Sequence, residues 1–171
     1  AEVAKRPRSV YLFVGQDAYQ REICRKALIE AFLAEGEERD NGITRYHIDE
    51  MSLAAVLDDA RSASLFASRR LIFAGSAETA VPKVVRKGDD EQQALLTEYL
   101  KDPPSETILV LESTRFGFDG DDKSRTERIQ KYFSAIQGQV AFRQLDSRQG
   151  AAQGSPLPAK AGMPFISTGR T

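Results

Sequence analysis

Apolar residues in this chain come in two alternating patterns, short unbroken runs and longer stretches at helical spacing. Ser9-Val10-Tyr11-Leu12-Phe13-Val14 is a β-prone run stopped by Gly15, the pattern of a strand buried on both faces. Asp17 follows with Gln20 three positions on, a capping-box arrangement, and Ile23, Ala27, Leu28, Ala31 and Phe32 then recur at helical spacing until Gly36. After a charged loop from Glu37 to Gly42, Ile43 to Ile48 reads as a second strand. Ser52 caps a helix whose Leu53, Val56, Leu57 and Ala60 form one stripe.

Arg70 to Ala74 predicts a third strand, followed by a polar loop from Gly75 to Asp89. A helix capped by Asp90 carries Leu95, Leu96, Tyr99 and Leu100, and Pro103 and Pro104 end it. Thr107 to Leu111 has no polar break after its first residue, which places it centrally in a parallel sheet. Ile129, Tyr132, Phe133 and Ile136 predict a last helix closed by Gly138, and Gln139 to Phe142 a fifth strand. Five β-then-α steps of this kind predict an α/β fold, a mostly parallel sheet flanked by helices.

One segment does not fit the alternation. In Ser64-Leu65-Phe66-Ala67-Ser68-Arg69-Arg70 the two largest apolar residues are adjacent and stand among small polar ones, matching neither a helical stripe nor a strand. Such a pair can plug a partner's pocket. It can also pack inward from a short turn that leads into the third strand, the commoner role of a hydrophobic pair.

Composition narrows the function classes. With 171 residues and 41% hydrophobic content, the chain has room for one ordinary core. The pattern predicts a domain over residues 1–146. From Ser147 onward Gly150, Gly154, Pro156, Pro158, Gly162 and Pro164 punctuate a stretch without acidic residues, so 147–171 reads as a tail or linker, and the chain as a piece of a longer protein. Cys24 is the only cysteine, which rules out an intrachain disulfide and favours a reducing, cytoplasmic setting. No apolar run approaches the length of about 20 residues needed to span a bilayer. Balanced charge, 24 basic against 25 acidic residues, argues against broad nucleic-acid binding. The local basic run Lys123, Arg125, Arg128 and Lys131 reads as a solvated helix face, with a DNA or partner contact as the alternative.

A strand, a glycine and a long helix form the layout of a phosphate-binding loop, but the residues that bind phosphate are missing. G-x-x-x-x-G-K-[ST] counted from Gly15 places Gln20, Arg21 and Glu22 at the glycine, lysine and hydroxyl positions. Glu22 would set a negative charge where magnesium and phosphate need a hydroxyl. A degenerate nucleotide site using Arg21 as its cation remains the alternative reading. Glu112, the single carboxylate ending the fourth strand, is expected to meet solvent or cap a turn. His47 is the single histidine and is expected on a strand surface, with Cys24 as a buried apolar residue, so no catalytic dyad or two-histidine metal face is expected. Asp119-Gly120-Asp121-Asp122 lacks the spacing of a calcium loop, and Asp121 or Asp122 is expected to cap the last helix. The expectation is therefore no cofactor and no metal.

Three stretches resemble one family, the N-terminal domain of the DNA polymerase III delta subunit of the bacterial clamp loader. They are the strand and turn Val10 to Asp17, the Ser-Leu-Phe segment Ser64 to Ile72, and the helix, proline pair and strand from Leu95 to Glu112. The resemblance covers about residues 9–146. It implies a P-loop NTPase fold of AAA type without a functional phosphate loop, non-catalytic by itself and part of a replicative polymerase holoenzyme. By position, Leu65 and Phe66 take the role of anchors that enter a hydrophobic pocket on the sliding clamp, the beta subunit, and help open the ring. Ser64, Ser68 and Arg69 would support the turn or its rim. The resemblance further implies assembly with delta prime and gamma or tau subunits, chiefly through a C-terminal domain absent from this sequence, and only indirect contact with DNA.

Overall fold

The computed structural model describes residues 7–84 and 90–144, without the side chains of Glu37 and Glu38. The proposed 147–171 tail and the domain boundary near Asp146 lie outside the described residues. Five strands, β1 (Val10–Val14), β2 (Ile43–His47), β3 (Arg70–Gly75), β4 (Thr107–Ser113) and β5 (Gly138–Ala141), pair in the order β2-β3-β4-β1-β5, every pairing parallel. The unbroken run at β4 does sit at the centre, and all seven of its residues are buried. Helices α1 (Ala18–Phe32), α2 (Glu37–Asn41), α3 (Leu53–Arg61), α4 (Glu91–Lys101) and α5 (Asp122–Tyr132) complete the described elements, with a short 3-10 turn at Ala77–Ala80.

Side chains alternate across the sheet, so each strand feeds two cores. On one face Val10, Leu12, Val14, Ile72, Ala74, Leu109 and Leu111 pack under α3, α4 and α5. The other face carries Tyr11, Phe13, Leu71, Phe73, Ile108 and Val110 and packs under α1 through Cys24 and Leu28. Residues on α3 show why its stripe folds where it does. Leu53, Val56, Leu57 and Ala60 are all buried, and Ser52 Oγ accepts the Ala55 amide at 3.2 Å to start the helix. Asp17 and Asp90 start α1 and α4 in the same way, accepting the amides of Gln20 at 3.0 Å and Gln93 at 3.2 Å.

Several expectations change. The charged segment after Gly36 is helical at Glu37–Asn41, and part of the loop after β3 forms the 3-10 turn. Helix α1 ends at Phe32, where Leu33 turns into extended backbone and buries its side chain. Ile136 belongs to a turn after α5, its amide bonded to the Phe133 carbonyl at 2.9 Å, and is buried without being helical. Strand β5 is followed by no described helix, so four complete β-then-α steps are present among the described residues. At the start of α5, Asp121 makes no side-chain cap; Asp122 instead accepts the Gly117 amide at 3.1 Å and holds the preceding loop.

Candidate partner-binding site

The connection between α3 and β3, residues 62–69, leaves at the edge of the sheet where the strands begin. Leu65 is 89% exposed and Phe66 81%, the two highest values among the exposed large hydrophobic residues. Neither packs inward, so the core alternative for the pair does not apply. Ser64 shapes the turn: its Oγ accepts the amides of Phe66 at 3.2 Å and Ala67 at 3.1 Å, a short-range cap that serves two donors a helix or strand would otherwise satisfy. The bend presents both apolar side chains outward together.

Arg69 holds the far end of the turn. Its guanidinium donates to the Phe32 carbonyl at 3.2 Å, lies 5.4 Å from the Phe32 ring centre, and stands 3.5 Å from the Glu106 carboxylate. It thereby caps the C-terminus of α1, where free carbonyls attract a cation. Arg69 is thus a tether between the turn and the body of the domain, while Ser68 is exposed beside it.

At the opposite edge, where the strands end, a short turn stands in the place of a phosphate loop. Only Gly15, Gln16 and Asp17 connect β1 to α1. The Gly15 amide bonds to the Ser113 carbonyl at 2.9 Å, the Asp17 amide reaches the Phe142 carbonyl at 3.4 Å, and Arg21 donates to the Gly15 carbonyl at 3.1 Å. The Gln20 amide is taken by the Asp17 carboxylate, which puts negative charge where an anion would have to sit. Gly15 has φ +120°, and a Cβ there would stand 2.2 Å from the Phe142 carbonyl oxygen, so this glycine serves close packing rather than a ligand. Magnesium ATP is accordingly expected to leave the melting temperature unchanged, since a ligand bound to the fold must stabilise it. A rise that Arg21→Ala abolishes would restore the nucleotide reading.

Glu112 corrects an expectation. It neither meets solvent nor caps a turn: it is 3% exposed, and its carboxylate takes a two-pronged contact from Arg25 on α1, with Nε to Oε1 at 2.7 Å and the second prong from Nη2 to Oε2. Register explains the direction, because Glu112 pairs with Phe13 and therefore points to the α1 face. The carboxylate raises the Arg25 pKa further, so the guanidinium stays charged. Among the described residues no group of three or more His, Cys, Asp or Glu is placed to hold a metal ion.

His47 is exposed at the end of β2, and Cys24 is 1% exposed with its thiol pKa pushed up to about 11 by burial. Residues Lys123, Arg125, Arg128 and Lys131 are all exposed on α5, and Arg125 lies 5.2 Å from the Phe116 ring centre. No described helix is long and apolar enough to cross a membrane. Sequence reasoning missed the side chains beneath the turn, Arg70, Asp59 and Tyr46, which meet only through the β2, α3 and β3 packing.

Several solved structures share this architecture. The DNA clamp loader delta protein of Bacillus subtilis is 17% identical, with a TM-score of 0.56 over 84% of this chain and 40% of that one. A DNA polymerase III gamma subunit-related protein of Thermotoga maritima is 13% identical, with a TM-score of 0.50 over 85% of this chain and 45% of that one. This chain therefore spans less than half the length of either, and the likeness is one of fold, a parallel α/β sheet flanked by helices. No curated protein sequence matches it. The family model described as DNA polymerase III, delta subunit, matches residues 11–137, which takes in the whole sheet up to the start of β5 together with the Ser64 to Arg70 segment; the chain belongs to the DNA polymerase III delta subunit family.

Proposed function

We propose that this domain is a non-catalytic, clamp-binding part of a clamp-loader subunit, which docks on the sliding clamp through Leu65 and Phe66 and helps to open the ring during DNA replication. The observation that carries the reading is the exposure of these two side chains, 89% and 81%, on a turn fixed at both ends. Two large apolar groups held in water gain from a pocket that buries both, and anchors of this kind dominate interfaces. Ser64 and Arg69 set the shape of the turn, and Ser68 lies on its rim. Assembly with delta prime and gamma or tau subunits belongs to parts of the protein beyond this chain, contact with DNA is indirect, and the setting is cytoplasmic. A degenerate nucleotide enzyme fits less well, because the amides of Gly15 and Asp17 are taken by the Ser113 and Phe142 carbonyls and that of Gln20 by the Asp17 carboxylate.

A synthetic peptide covering residues 62–69 is expected to displace the domain completely from a bacterial sliding clamp in a fluorescence competition titration. The same peptide with Leu65 and Phe66 replaced by serine is expected to displace none. Equal competition by both peptides would refute the anchor.

A further inference from the structure

The eight residues 62–69 leave α3 and enter β3, and one side chain ties the two ends together. Arg70, the first residue of β3, reaches back across the base of the connection to the last turn of α3. Its Nη1 donates to the Asp59 carbonyl at 2.9 Å and to the Ser62 carbonyl at 3.3 Å, and its Nη2 meets the Asp59 carboxylate at 2.5 Å. The same carboxylate accepts the Tyr46 hydroxyl at 3.1 Å, which joins β2 to the clasp. The Arg70 side chain is only 11% exposed, unlike the 52% of Arg69, so water competes far less for these bonds. Its backbone is held as well, with the Arg70 amide bonded to the Glu106 carbonyl at 2.8 Å.

We propose that Arg70, through Asp59 and the carbonyls that end α3, is a positioning residue that holds the Leu65–Phe66 turn in its binding shape before a partner arrives. The proposal rests on the clamp-binding reading and deepens it by locating what pre-orders the anchor. A helix end leaves its last carbonyls without partners, and a guanidinium alone among side chains can serve two carbonyls and a carboxylate from one planar fork. Closing the base shortens the free connection, so less order has to be imposed on Leu65 and Phe66 when they enter a pocket. Lysine keeps the charge opposite Asp59 but lacks the fork.

The test uses the full chain, a bacterial sliding clamp and amide hydrogen exchange. Arg70→Met is expected to bind the clamp about tenfold more weakly, and to speed exchange at the amides of Phe66 and Ala67 while β3 stays protected. Arg70→Lys should lose most of the same affinity. Ile129→Val, a core change on α5, serves as a control with a comparable small loss of melting temperature and unchanged affinity. Wild-type affinity in Arg70→Met, or an equal loss in Ile129→Val, overturns the proposal. If the wild-type chain does not bind the clamp, the clamp-binding reading falls by itself. Exchange at Phe66 and Ala67 then decides the clasp, faster in Arg70→Met if it holds the turn and unchanged if it does not.

Discussion

Replacing Leu65 and Phe66 together with alanine is expected to weaken binding to a bacterial sliding clamp by at least about 100-fold, with a melting temperature within about 2 °C of the parent. Full burial of a large apolar side chain is worth roughly 1.5 to 3 kcal/mol, so the pair contributes about 3 to 6 kcal/mol on entering a pocket. Alanine retains the Cβ, which places the expectation near the lower end. Stability should be nearly untouched, because side chains 89% and 81% exposed have little core contact to lose. Calorimetric titration against the clamp, with thermal unfolding of the same samples, reads both halves. Unchanged affinity removes the anchor; a collapse in melting temperature shows that the pair supports the fold.

The second large effect lies at the Arg25–Glu112 pair. Arg25→Met should destabilise the domain by about 3 kcal/mol, since removing one partner leaves a carboxylate that is 3% exposed without its counter-charge. The lower end of the usual range applies because the Arg25 side chain is 26% exposed and water reaches it. Methionine keeps the apolar stem of the side chain but loses the guanidinium that lies 5.4 Å from the Phe73 ring centre, a smaller contribution than the lost counter-charge. Adding Glu112→Leu should recover most of the loss, as apolar replacements of buried ion pairs often do. Denaturant unfolding of both single variants and the double variant measures the coupling. A double variant no more stable than Arg25→Met would show that the pair is not the source.

The periodicities place the five strands and three of the four longer helices, because runs such as Ile108 to Leu111 and the stripe from Leu53 to Ala60 are set by burial that any neighbour could supply. The stripe from Ile129 to Ile136 catches only the end of α5, and Gly138 opens β5 rather than closing the helix. Side-chain direction across distant elements was not legible. Glu112 looked like the polar end of a strand, but its partner Arg25 stands 87 residues away and only the β1–β4 register brings the two together. The Leu65–Phe66 pair was conspicuous for its polar neighbours. Its exposure depends on the Ser64 turn and on Arg69 reaching Phe32, a contact spanning 37 residues that no local pattern encodes. Helix α2 was missed for a simpler reason: five charged or polar residues carry no apolar stripe.

The place of β3 in the sheet bears on how the domain would transmit force. The exposed turn runs directly into this strand, which is flanked on one side by β2 and on the other by β4, both parallel to it. A pull along the strand from Leu65 and Phe66 would act on both hydrogen-bonded ladders in shear, distributing tension over many bonds at once. An edge strand loaded sideways would instead peel bond by bond. A grip through this turn would therefore load β3, an interior strand, in shear along two ladders rather than by peeling at an edge.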